Sequence, residues 1–137
     1  MECVVVKAGE SIVSADGVSR APGISNRTAA AGGICMQISR LPGGAVGKAH
    51  LHEDHESTLY ILGGSTAMLY GEQLEHRLEA HPGDFVYIPA STPHKPWNLS
   101  ETEPIVMVVA RTDANEQESL VLLPHLDELP HVLEATP

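Results

Sequence analysis

The chain has 137 residues and a formal net charge of −10, enough length for one domain to bury a core without cross-links. Hydrophobic residues make up 42% of it, an ordinary globular content, and the acidic balance excludes the basic footprint that nucleic acid or an anionic membrane surface needs. Two cysteines, Cys3 and Cys35, are too few for a disulfide framework, no apolar run reaches transmembrane length, and the valines at 4–6 are too short for a signal-peptide core. A soluble cytoplasmic protein with two buried free thiols is the resulting expectation.

In chain order, residues 1–8 read as a short apolar strand. Residues 9–33 alternate weak strand with turn chemistry at Ala15-Asp16-Gly17, Ala21-Pro22-Gly23 and Ala31-Gly32-Gly33. Arg20 and Arg27 lie in that stretch and read as solvated surface arginines, with contact to an anionic substrate as the alternative. Strands follow at 34–41, 59–62, 66–70, 74–78 and 85–88, with Gly71-Glu72-Gln73 as a hairpin loop. The loop 90–96 holds Pro93 and Pro96, which are expected to exclude it from a central strand and to stiffen it. Residues 105–111 form the most apolar strand, 120–123 a last one, and 124–133 a short helix or an arm. Short strands punctuated by Gly and Pro predict an all-β sandwich or barrel with little helix. The whole of 1–137 reads as one domain, with N-terminal strands in 1–41 and a C-terminal strand and arm in 105–137.

The chemistry concentrates in two segments. The first runs from Gly44 through His50, His52 and Glu56 to Gly63; the second runs from Gly83 through Pro89 and His94 to Asn98. Residues two apart on a strand share a face, so His50 and His52 point together, and Glu56 keeps their parity if no bulge intervenes. His94 has to arrive across the sheet. Three imidazoles and one carboxylate suit a divalent transition metal such as Zn, Mn, Fe or Ni; hard all-oxygen sites and thiolate-rich structural zinc sites look different. His-x-His alone is expected by chance roughly 0.5 times in such a composition, but with the glutamate and both glycines at their spacing the chance falls to roughly 0.0003.

These anchors resemble the two motifs of the cupin superfamily, the RmlC-like jelly rolls. Gly44, His50, His52, Glu56 and Gly63 fit the first motif at every anchor. Gly83, Pro89, His94 and Asn98 fit the second, with Ser91 where the family usually has glycine. The 19 residues between Gly63 and Gly83 make a short spacer, as in small microbial single-domain cupins. The resemblance implies a double-stranded β-helix with His50, His52, Glu56 and His94 as metal ligands. It covers residues 44–98 only.

Around this core, Tyr60 and Leu62 share the ligands' parity and are expected to line the cavity, Tyr60 as a proton donor, a substrate contact or a core tyrosine with a satisfied hydroxyl. His55 has the opposite parity and is weighed as an acid/base at the site's edge. Met36, Ile38 and Met68 read as barrel lining, and Trp97 as an aromatic wall at the mouth. His76 and His81 are surface residues or substitutes for Glu56, and His125 and His131 belong to the tail. Leu59, Ile61, Leu69 and residues 120–123 exceed what one barrel interior needs, which predicts a homodimer.

Three functions follow. A Lewis-acid ion would polarise a carbonyl and support cyclase or isomerase chemistry on a small, largely apolar carbonyl or phenolic metabolite; similarity to small bacterial cupins implies aromatic polyketide cyclisation as one instance. A redox-active ion would give a dioxygenase. A module that binds a metal or small ligand without turnover is the third, since a fold does not fix a function.

Overall fold

The computed structural model describes residues 2–137. In chain order its strands are β1 (Ile12–Val13), β2 (Ser19–Ile24), β3 (Cys35–Leu41), β4 (His50–His52), β5 (Ser57–Gly63), β6 (Thr66–Tyr70), β7 (His76–Ala80), β8 (Phe85–Ile88), β9 (His94–Asn98), β10 (Ile105–Arg111) and β11 (Leu120–Leu122). Three short helices join them: α1 (Asn26–Ala29), α2 (Pro124–Asp127) and α3 (Pro130–Ala135). Two antiparallel sheets face each other, one ordered β1-β2-β3-β10-β5-β8 and the other β11-β4-β9-β6-β7.

Period-two patterning builds the first sheet. β3 and β10 pair from Leu41↔Ile105 to Cys35↔Arg111. Cys35, Gln37, Ser39 and Leu41 from one strand and Ile105, Met107, Val109 and Arg111 from the other are all buried. With Ile61, Met68, Val86 and Ile88 the apolar members form the core between the sheets.

The second sheet is covered on its outer face too. There Ala67, Leu69, Leu74 and Trp97 pack against Leu126 of α2 and Val132 of α3. Each of these helices begins with proline, whose fixed φ and missing N–H suit a first helical turn. Lys95 also lies on this covered face. Its ammonium donates to the Gly47 carbonyl at 2.9 Å and pairs with Asp127 of α2, which offsets the cost of burying the charge. Asp127 also accepts the Ala49 N–H at 3.1 Å. The C-terminal arm is therefore a clasp on the sheet of the same chain.

Several expectations are corrected. Residues 2–11 form no strand and Val5 is 89% exposed, because the sheet edge begins only at Ile12; Met1 lies outside the described residues. Cys3 is exposed, whereas Cys35 is buried. Trp97 is 3% exposed under the C-terminal helices and does not wall the mouth. The proline loop is shorter than expected, since Pro96 sits within β9. Its carbonyl accepts from Gly47 N–H at 2.8 Å. The missing Pro96 N–H thus falls on the side facing that loop, where no continuous ladder needs it. Ser91, at the glycine position of the second segment, adopts φ 55, and its hydroxyl accepts the Asp54 N–H at 2.9 Å.

No helix among the described residues is long and apolar enough to cross a membrane. If α2 and α3 seal the second sheet, Leu126→Ala should cost about 2–5 kcal/mol by urea unfolding. Leu133→Ala, at a position that is 58% exposed, should stay within about 0.5 kcal/mol of the parent.

Candidate metal centre

β4 and β9 are antiparallel neighbours with His50 directly opposite His94, and His52 follows His50 on the same face. All three imidazoles are buried. The rings of His50 and His94 lie 4.2 Å apart between centroids, and one nitrogen from each of the three histidines falls within 4.8 Å of the others.

The tautomers follow from the backbone. His50 Nδ1 is 2.7 Å from the Lys48 carbonyl, His52 Nδ1 is 2.7 Å from the Glu118 carbonyl, and His94 Nδ1 is 2.9 Å from the Thr92 carbonyl. A carbonyl only accepts, so each Nδ1 carries the hydrogen and each Nε2 keeps its lone pair. Burial holds the His50 imidazole down at about 4. His52 and His94 are pushed down as well, first by burial, then by Arg111 beside His52 and by His50 beside His94. Three neutral imidazoles with lone pairs directed at one region, each fixed by an outer hydrogen bond, are a donor set that fits a divalent transition metal.

A network of buried charges adjoins them. Arg111 Nη2 lies 3.2 Å from His52 Nε2, consistent with that nitrogen accepting. Arg111 also pairs with Glu118, which Gln37 contacts too. Arg20 Nη2 is 2.6 Å from Asp16 Oδ2 and 3.0 Å from Glu118 Oε2. Burial pushes the Glu118 carboxyl up, against the pull of Arg111 and Arg20. A cavity of about 40 Å3 opens among His50, His94, Arg20, Arg111, Asp16 and Ser39, with apolar walls from Met68, Ile88 and Val109. At roughly 10–15 Å3 per water-sized group, it holds only a few such groups beside the histidines.

Not every expected site residue joins. Glu56 is exposed, and its Oε1 accepts the Tyr87 hydroxyl at 2.6 Å. The reason is the turn between the strands. Asp54 takes φ 60, the two-residue alternation does not carry through, and Ser57 faces inward instead. Tyr60 and Leu62 shift with it: Tyr60 packs on Phe85 at 4.7 Å and Leu62 is 52% exposed. His55 sits outside the cavity, with Nδ1 2.9 Å from the Thr112 carbonyl. Met68 lines the cavity, but Met36 is 48% exposed. His76 and His81 are exposed beside Glu75 and Ser65. Arg27 pairs with Glu116 at 2.8 Å on the surface, whereas Arg20, read as a surface arginine, is 4% exposed in the site.

Residues 37–111, more than half of the chain, match the family model of the cupin domain. The chain belongs to the cupin family. No curated protein matches it. Among solved structures, this cupin is similar to a single-residue variant of oxalate decarboxylase from Bacillus subtilis (TM-score 0.70, 21% identity, 91% of this chain and 33% of that one). It is also similar to a conserved protein with a double-stranded β-helix domain from Klebsiella pneumoniae (TM-score 0.62, 16% identity, 83% and 84% of the two chains). A further Bacillus subtilis oxalate decarboxylase structure, described by its Mn(II) centres, matches at TM-score 0.69 and 17% identity over 93% of this chain and 37% of that one. This cupin spans about a third of the oxalate decarboxylase chain. At these identities the likeness shows the double-stranded β-helix fold.

Arg111, Asp16 and Glu118 were not expected at the site. Arg111 had a readable signal, since it continues the inward alternation of Ile105, Met107 and Val109. Asp16 lies in what reads as an ordinary turn, and Glu118 in a segment with no periodicity.

The buried histidines make stability pH-dependent. Their folded values lie below the ordinary 6.5, so below that pH the unfolded chain binds protons that the folded chain refuses. Stability is full above 6.5 and falls on acidification by up to about 1.4 kcal/mol per pH unit per histidine. His50 stops contributing near 4. Urea midpoints of the metal-free protein should therefore drop steadily from pH 7 to pH 4.5; a flat profile would contradict the neutral, buried assignment.

Proposed function

We propose that this cupin is a divalent-metal-dependent enzyme acting on a small carbonyl or carboxylate metabolite, with His50, His52 and His94 holding the ion. The observation that carries the reading is the backbone-locked tautomer of all three buried imidazoles. When bound, the ion would supply Lewis-acid polarisation of a substrate oxygen, as in cyclase and isomerase chemistry. The chain's own groups do the rest. The carbonyls of Lys48, Glu118 and Thr92 orient the rings. The apolar walls thin out water and strengthen every electrostatic contact inside. Arg20 and Arg111, both lining the cavity, are paired with Asp16 and Glu118, and Arg111 Nε, buried without a partner, is the donor left for an anionic oxygen.

The cavity size bears on the substrate. The space beside the histidines is about 40 Å3, which suits the compact reacting end of a substrate, and a neighbouring pocket of about 550 Å3 that shares Met68, Leu78 and Ile88 with it has the volume of an ordinary small-molecule site, roughly 300–1,000 Å3. Tyr60 and His55, outside the cavity, take no part in this reading. A second reading keeps the site but gives it a redox-active ion; the fold shared with a protein described by Mn(II) centres favours it. Binding without turnover remains the third outcome.

Metal analysis and activity assays separate these readings. His50→Ala and His94→Ala should each weaken metal uptake by more than about tenfold, measured by competition with a chelator. Oxygen uptake with small keto acids or dicarboxylates would select the redox reading. Turnover without oxygen uptake would select the Lewis-acid reading, and ligand binding without either would leave a binding module.

We also infer a homodimer, through a face other than the one expected. Leu59 and Ile61 point into the barrel and Leu69 is covered by the C-terminal helices, whereas Phe85 (77% exposed), Tyr87 (60%), Leu62 (52%) and Met36 (48%) lie on the outer face of the first sheet. Exposed large apolar side chains gathered on one sheet face suit an interaction surface. Light scattering at micromolar concentration should give a dimer, and Phe85→Lys with Leu62→Lys a monomer; a monomeric parent would refute it.

A further inference from the structure

We propose that Asp16 supplies the carboxylate ligand of the metal centre, in the role that the motif spacing gives to Glu56. The inference rests on the three-histidine reading above.

The Glu56 side chain points out of the cavity and is engaged by Tyr87. Asp16 is 1% exposed and lines the same cavity as His50 and His94. Its Oδ2 lies 3.5 Å from His50 Nε2, and the side of the ring is what matters. A carboxylate that merely orients a ligand imidazole takes the Nδ1 hydrogen. On His50 the Lys48 carbonyl already does that at 2.7 Å, so the Asp16 oxygen sits on the lone-pair side, where an ion would sit.

The local chain holds Asp16 there. Oδ1 accepts the Val18 N–H at 3.1 Å, and Oδ2 accepts Arg20 Nη2 at 2.6 Å. Arg20 is itself fixed by the Ser14 hydroxyl at 2.7 Å. A carboxylate has about four acceptor sites, so these partners leave Asp16 capacity for one more bond. If Asp16 turns toward an ion, Arg20 retains Glu118 at 3.0 Å, so no buried charge is stranded. Three neutral imidazoles bring no charge of their own, and a carboxylate is the group that would offset the dication.

The test uses the full chain, metal-free, titrated with zinc alone against a chelator. Asp16→Asn should weaken zinc binding by at least about tenfold, while Glu56→Gln should stay within about threefold of the parent. Asp16→Asn within threefold of the parent, or Glu56→Gln showing the larger loss, would overturn the inference while leaving the histidine site standing. A parent chain that takes up no zinc, manganese, iron, cobalt or nickel would remove the histidine reading, and this inference with it. Should Asp16→Asn fail to fold, a crystal structure of the zinc-loaded parent decides. An Asp16 oxygen at about 2.0–2.2 Å from the ion supports the assignment; Glu56 at that distance, or Asp16 still held by Arg20 away from the ion, overturns it.

Discussion

Glu118 is the residue on which the site's architecture converges. Its side chain takes Arg111, Gln37 and Arg20, and its backbone carbonyl takes His52 Nδ1. It thereby joins β2, β3, β4 and β10, at φ 65, a left-handed conformation that a non-glycine residue adopts only when its surroundings hold it. A buried carboxylate stripped of one partner costs several kcal/mol, whereas the complete set is close to balanced. The network therefore adds little net stability and a great deal of definition: it ties the arginines, the carboxylates and one imidazole into one arrangement, in which Arg111 Nε and Glu118 Oε2 are left without a hydrogen-bond partner.

Much of the fold was readable because it obeys a simple period. Residues 66–70, 85–88 and 105–111 are strands with the expected bounds, and the shared face of His50 and His52 is a two-residue repeat within one strand. The reading failed where that repeat was carried across a turn. Glu56, Tyr60 and Leu62 were placed by counting from His52, and the left-handed Asp54 resets the count. Pro96 hid β9, because whether a proline is tolerated depends on what faces its missing N–H, and that is a tertiary fact. Asp16 and Glu118 were illegible for a related reason: the histidines they adjoin, His50 and His52, lie far from them in sequence, and neither residue sits in a periodic segment.

The site combines two sources of order. Backbone carbonyls fix the imidazoles individually, and the sheet fixes them relative to one another through the cross-strand pair of His50 and His94. Both act through the protein's own backbone and strand pairing, so the three imidazoles hold one another's positions without help from side chains elsewhere. Preorganisation of this kind lowers the ordering cost of binding. Arg111 lies against His52 Nε2 and puts a cation at that ring's lone pair.

The Asp127 contact reaches further than its place in the C-terminal helices suggests. This carboxylate grips the Ala49 amide and the Lys95 ammonium, and each of those residues is the immediate chain neighbour of one member of the His50–His94 pair. From behind the sheet, it acts as a buckle drawing together the two strands that carry those histidines. The spacing of the two facing histidines is thus partly a property of a segment that lies after both strands in the chain.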